Sequence, residues 1–170
     1  MKLRNHIRDV PDFPVEGVIF KDITTALKDP DVLAYIIKEL SNCFESDSPD
    51  KIVGIESRGF ILGPAIAKEL GAGFVPARKA GKLPAKAVKK DYATEYSEDT
   101  LEIHEDAIVE GERVLIVDDL LATGGTAEAT AHIVEALGGK VVGFGFMIEL
   151  SFLNGRERIS DYAVKVLETY

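Results

Sequence analysis

The order of apolar and polar positions predicts alternating helices and strands over most of the chain. From Asp31 to Phe44 the apolar residues Val32, Leu33, Ile36, Ile37 and Leu40 recur at three- and four-residue steps, the spacing of an amphipathic helix. A polar turn from Ser46 to Asp50 then gives way to Lys51–Ile55, a short apolar strand. Helical spacing returns from Gly59 to Leu70 through Ile61, Leu62, Ala65 and Ile66, and Gly71 stops it. Gly73 to Ala77 reads as another short strand. Arg113 to Val117 places no polar residue in its middle, as a strand covered on both faces should. A helix over Thr126 to Leu137 follows, ended by Gly138 and Gly139, and then strands over Val141 to Ile148 and Ala163 to Leu167. Residues 1–30, broken by Pro11, Pro14, Gly17 and Pro30, predict an irregular segment. Residues 78–100 mix charges with little apolar period and predict a long loop, with Leu101 to Ile108 pairing back as an edge strand.

This alternation predicts an α/β fold, a mostly parallel twisted sheet with helices on both faces. Sheets of that kind bind ligands at the carboxyl ends of their strands. The segment that fills that position best is Val114 to Thr126, Val-Leu-Ile-Val-Asp-Asp-Leu-Leu-Ala-Thr-Gly-Gly-Thr. Unpaired N–H groups at the start of the following helix, together with its dipole, attract a phosphate. Glycines let the backbone approach it closely, and threonine hydroxyls add donors. A phosphate dianion suits the turn Ala122, Thr123, Gly124, Gly125, Thr126. Asp118 and Asp119 would repel that phosphate, but they can accept hydrogen bonds from two adjacent hydroxyls. One loop thus suits a ribose 5-phosphate. Other phosphate motifs fit less well: a Walker loop needs Lys where Thr126 follows Gly125, and the third glycine of a dinucleotide-binding pattern begun at Gly143 would fall on Ile148.

Charge sharpens this picture. The chain of 170 residues fits one domain, and its formal net charge of −9 argues against nonspecific nucleic-acid binding. Yet Arg78, Lys79, Lys82, Lys86, Lys89 and Lys90 fall within thirteen residues that contain no acid. Such a run is either a solvated loop or a trap for a small polyanion. No apolar run approaches the ~20 residues that span a bilayer, and the N-terminus lacks the apolar stretch of a secretory signal. Cys43 is the single cysteine, and no Cys/His cluster has metal-ligand spacing, so a reducing cytoplasm is the expected home. His6, His104 and His132 have no partners at useful spacing, and Glu149 falls just after a strand.

The thirteen-residue string closely resembles the phosphoribosyl pyrophosphate signature of the type I phosphoribosyltransferases, and its Leu-Leu-Ala-Thr-Gly-Gly-Thr ending is similar to that of the adenine phosphoribosyltransferases. Further segments agree in order: Phe13-Pro14 with Gly17 to Ile23, Leu27 to Pro30, Glu56 to Phe60 with Gly63-Pro64, Arg78 to Pro84, Tyr92 with Glu95-Tyr96, Leu101 to Ile103, Glu149-Leu150, and Leu153 to Arg156. The resemblance spans essentially the whole chain. It implies a core at residues 31–170, a small N-terminal hood at residues 1–30 that recognises the base, and a homodimer. It implies transfer of a phosphoribosyl group to adenine with Mg²⁺, the metal being held mainly by substrate. Ser57, Arg58, Gly59, Arg78, Lys79 and Lys82 would bind pyrophosphate, some of them across a subunit boundary. A non-proline cis peptide is implied at Glu56–Ser57. Val18, Ile19, Phe20 and Lys21 would contact the base; Lys21 departs from the Arg common in relatives. Glu95 would act as acid/base toward the adenine proton, on a mobile loop at residues 85–100 that closes as a lid. Two alternatives stay open: a different base, such as xanthine or orotate, or a non-enzymatic regulatory binder that keeps the phosphoribosyl site.

Overall fold

The computed structural model describes residues 1–93 and 98–170. Seven strands form one sheet in the order β5 (Ala87–Ala93), β6 (Glu98–His104), β4 (Gly73–Lys79), β3 (Lys51–Ile55), β7 (Arg113–Leu121), β8 (Lys140–Glu149), β9 (Val164–Thr169). The five strands from β4 to β9 run parallel, and β5 and β6 run antiparallel at one edge. Helix α2 (Pro30–Asn42) and helix α3 (Gly59–Leu70) cover one face, around a core that includes Ile36, Leu40, Phe44, Leu62, Ile66, Leu115 and Val117. Helix α4 (Gly125–Ala136) and the β5–β6 hairpin close the other face over Val53, Ile55, Leu101, Ile103, Val114 and Ile116. The α/β arrangement expected from the sequence is therefore the one observed.

Local sequence explains the helix ends. The Asp29 carboxylate accepts hydrogen bonds from the backbone N–H groups of Asp31 and Val32, and Pro30 opens α2 where no N–H is needed. Gly71 ends α3 in the left-handed conformation, at φ +68°.

Four expectations from the sequence need correction. Residues 1–30 are not irregular throughout: β1 (Arg8–Pro11) pairs antiparallel with β2 (Ile19–Asp22), and helix α1 (Thr24–Leu27) follows. Charged pairs lie directly opposite one another on this ribbon, Arg8 with Asp22 at 2.5 Å and Asp9 with Lys21 at 2.7 Å. Residues 87–93 are a strand rather than loop. Among the described side chains of this strand, Val88 and Tyr92 pack on the core, too few to reveal a period, and the hydrogen bonds come from β6. The strand expected at Leu101–Ile108 is shifted, ending at His104, and β5 rather than β6 is the edge. Finally, β7 does not stop at Val117. Its pairing with β8 carries the ladder through Asp118 to Leu121, so the aspartates sit on a strand end.

Candidate active site

The site lies where adjacent parallel strands end. Because β3 and β7 are neighbours, the turns that follow them come out side by side, one leading into α3 and the other into α4. Strand β4, on the other side of β3, delivers Arg78 and Lys79 to the same edge. A cleft of about 400 Å³ results, lined by Glu56, Ser57, Arg58, Lys79, Lys82, Asp118 and Asp119. The sugar-phosphate residues and most of the pyrophosphate residues expected from the sequence are thus brought together.

On the β7 side, a recess of about 70 Å³ is lined by Asp118, Leu120, Ala122, Thr123, Gly124 and Thr126, among others. The first N–H groups of α4 have no acceptor within the helix and are free for an anion. Gly124 sits at φ +82°, which disfavours any side chain, and a Cβ there would lie 2.3 Å from the Gly155 carbonyl oxygen. The reciprocal holds: a Cβ on Gly155 would lie 2.1 Å from the Ala122 carbonyl oxygen. The phosphate turn therefore rests on the backbone of Gly155. Arg156, next in sequence, donates to both oxygens of Glu149 at 3.0 and 2.7 Å, and Arg158 reaches Glu128 of α4 at 3.2 Å. Glu149 is therefore bound to Arg156 behind this turn, not free at the ligand edge.

On the β3 side, Gly59 lets the start of α3 approach β7. A Cβ there would meet the Val117 carbonyl oxygen at 2.6 Å and an Asp118 carboxylate oxygen at 3.2 Å. The neighbouring Arg58 spans the cleft, its Nε 2.7 Å from an Asp119 oxygen and its guanidinium 5.7 Å from the Phe20 ring centroid. Asp119 is buried. Burial, reinforced by the adjacent Asp119 carboxylate, pushes the Asp118 carboxyl well above the usual carboxylate range, against the pull of Arg58. The Glu56–Ser57 peptide bond is cis, as the resemblance implied.

The basic residues are held by acids that the sequence did not single out. Glu56, nearly buried, accepts from Arg78 Nε at 3.2 Å, from the Lys79 backbone N–H at 3.0 Å, and from the Lys82 ammonium. Burial alone would raise its pKa; the Lys82, Lys79 and Arg78 donors more than offset this and hold it at about 2. Lys79 pairs with Asp99 of β6 at 2.8 Å. Lys89, from the same basic run, reaches the buried Glu102 at 3.1 Å. Tyr92 brings its hydroxyl to the side chains of Thr126 and Asp99, tying β5 to the phosphate turn, and burial raises its phenol. Gly155, Glu56 and Tyr92 all lie in segments that carry the family resemblance, which was the only signal available for them.

The base residues divide by strand alternation. Phe20 faces Arg58 and the cleft. Ile19 and Lys21 lie on the other side of β2, where with Val18, Leu150, Phe152, Leu153 and Tyr170 they line a largely apolar cavity of about 400 Å³. Lys21 Nζ stands 4.0 Å above the Tyr170 ring and pairs with Asp9, so its side chain is committed away from Arg58. Glu95 lies outside the described residues. No helix among the described residues is long and apolar enough to cross a membrane.

Comparison with known proteins agrees with this geometry. Residues 24–169 match the family model described as phosphoribosyl transferase domain. The adenine phosphoribosyltransferase of Natranaerobius thermophilus is 74% identical over 170 residues, covering 100% of this chain and 99% of that protein. Among solved structures, the adenine phosphoribosyltransferase of Thermoanaerobacter pseudethanolicus superposes with a TM-score of 0.95 at 49% identity, covering 99% of this chain and 98% of the other. That of Saccharomyces cerevisiae, in complex with an imino-altritol bisphosphate and adenine, gives a TM-score of 0.93 at 41% identity over 97% and 96% of the two chains. With the phosphate turn, the acid pair and the basic cleft gathered on one sheet edge, these similarities establish that the chain belongs to the adenine phosphoribosyltransferase family of type I phosphoribosyltransferases.

Proposed function

We propose that this protein joins adenine to the phosphoribosyl group of phosphoribosyl pyrophosphate, giving AMP and pyrophosphate. One observation carries the reading. The phosphate turn and the basic cleft open from adjacent strands, and Asp118 and Asp119 stand between them. A sugar phosphate seated in the turn would present its diol to the acids and its anomeric carbon toward the cleft. The bond to the pyrophosphate oxygen breaks as the purine ring nitrogen attacks that carbon. The sugar passes through a cationic state while negative charge gathers on the leaving group, where Arg58, Arg78, Lys79 and Lys82 can receive it. Among the described residues no three His, Cys, Asp or Glu side chains converge in metal-ligand geometry. In this reading a Mg²⁺ would enter on substrate oxygens and water and neutralise pyrophosphate charge there. The protein acts in this reading as a cytoplasmic homodimer in purine salvage, with the N-terminal hood over the base.

In this reading Phe20, whose ring centroid lies 5.7 Å from the Arg58 guanidinium, is the side chain that stacks on the base. Phe20→Ala should raise the KM for adenine at least about tenfold, since an aromatic stacking pair and the buried ring area are both lost. Lys21→Ala should change it by less than about twofold, a smaller effect because that side chain engages Tyr170 and Asp9. Steady-state kinetics with varied adenine distinguish the two; a larger effect at Lys21 would reverse the assignment.

The ring nitrogen that attacks must lose its proton. By family resemblance Glu95 takes it, and Glu95→Gln should lower turnover at least about tenfold with an unchanged unfolding temperature. Near-normal turnover would remove Glu95 from this role. Pyrophosphate release measured base by base, with phosphoribosyl pyrophosphate and Mg²⁺, tests the function as a whole. Release with adenine and not with hypoxanthine, guanine or xanthine is expected. Release with another base and none with adenine would overturn the proposal.

A further inference from the structure

All four basic side chains proposed for pyrophosphate are already paired with carboxylates of this chain. Arg58 is bound to Asp119, Arg78 and Lys82 to Glu56, and Lys79 to Asp99. The cations reach outward, Lys79 and Lys82 being 53% and 45% exposed, while their acid partners are far more buried, Glu56 at 9% and Asp99 at 25%. An arriving pyrophosphate meets a cluster whose charge is largely compensated. It must either take the ammonium and guanidinium groups from these acids or bind beside them, with like charges close by. Asp119 faces the ribose in the proposed reaction, so its pairing with Arg58 serves substrate as well. Glu56 and Asp99 have no such role toward the ribose: besides the cations, Glu56 accepts from the Lys79 backbone N–H, and Asp99 accepts from the Thr100 backbone N–H and lies beside the Tyr92 hydroxyl.

We propose that Glu56 and Asp99 are internal counter-ions that hold the basic cluster assembled when the site is empty and weaken its grip on pyrophosphate, so that this product leaves. Both are positioning residues, acting through Arg78, Lys79 and Lys82. The inference rests on assigning the cleft to pyrophosphate. It has a direction that a purely structural role lacks. If the acids merely shaped the cluster, losing one would loosen the cations and weaken pyrophosphate binding. As counter-ions, losing one frees positive charge for the ligand and tightens it.

The test is calorimetric titration of inorganic pyrophosphate, with excess Mg²⁺, into the wild-type protein and into Glu56→Gln and Asp99→Asn. Both substitutions remove charge and keep an acceptor oxygen, which preserves the bond that Glu56 accepts from the Lys79 backbone. Asp99, the more exposed, also provides a decisive variant if Glu56→Gln fails to fold. The dissociation constant should fall about tenfold in Glu56→Gln and about threefold in Asp99→Asn. Product inhibition by pyrophosphate should strengthen by the same factors. Unchanged or weaker binding in folded Asp99→Asn overturns the proposal. A wild-type protein that binds no pyrophosphate overturns the assignment of the cleft, and the counter-ion role with it.

Discussion

Asp118→Asn should make the free protein harder to unfold at pH 7 while sharply reducing its activity. The two effects have one origin. Burial and the neighbouring Asp119 raise the folded pKa of Asp118 above the ordinary 3.8. Between those two values the folded state binds more protons than the unfolded chain, so stability falls as pH rises through that window. The fold thus resists ionisation of this carboxyl. Asparagine removes the charge and keeps the acceptor oxygen that receives the Asp119 backbone N–H at 2.8 Å. A gain of about 1 kcal/mol would lift the unfolding temperature by roughly 2–4 °C in a chain of this size. The gain should vanish near pH 3, where Asp118 is protonated in both states. Turnover should fall between about tenfold and a hundredfold, because a hydrogen bond from the ribose diol to a charged acceptor is worth about 1.5–3 kcal/mol. Thermal melts across pH, run beside steady-state assays, read both effects. A lower melting temperature at pH 7 would show that the ionised pair stabilises the fold instead.

Gly155→Ala should be nearly as damaging, from a residue that need not touch substrate. The added methyl would sit 2.1 Å from the Ala122 carbonyl oxygen and 2.8 Å from the Gly124 backbone nitrogen. Both are backbone atoms of the phosphate turn, so no side chain can rotate to relieve the contact. The turn itself must move, and a shift of about 1 Å in a substrate-positioning element can cost on the order of a hundredfold in rate. The expected result is a drop of about that size in kcat/KM for phosphoribosyl pyrophosphate, with the KM for adenine little changed. Overpacking should cost a further ~1–3 kcal/mol of stability. A kcat/KM within about threefold of wild type would mean that the turn tolerates the shift.

Much of the fold was legible in local pattern. Strand β3 and helix α3 begin and end where the apolar period and Gly71 say they should, because each is covered by neighbours that select the same face throughout. The phosphate turn was legible for a different reason: its chemistry is written in consecutive residues. Strand β5 was not, since its hydrogen bonds are supplied by β6 and its lysines mask the two apolar contacts it makes. The hood ribbon was hidden in the same way, held by opposed charges rather than by an apolar stripe.

The sequence by itself determined the class of chemistry: an α/β sheet with a phosphate turn at a strand end, two acids beside it, and a basic stretch elsewhere in the chain. These are properties of contiguous segments, and contiguity is what a sequence preserves. Only the tertiary structure decided how the segments work on one another. Parallel pairing of β3 with β7 and β4 set the cations beside the acids. Burial pushes both Glu56 and Asp118 upward, but their neighbours then part them, Glu56 being held at about 2 by cations packed around it and Asp118 driven further up by a second carboxylate. Alternation along β2 turned Phe20 toward the cleft and Lys21 away from it. Such effects depend on distance and dielectric between residues far apart in the chain, which no local pattern records.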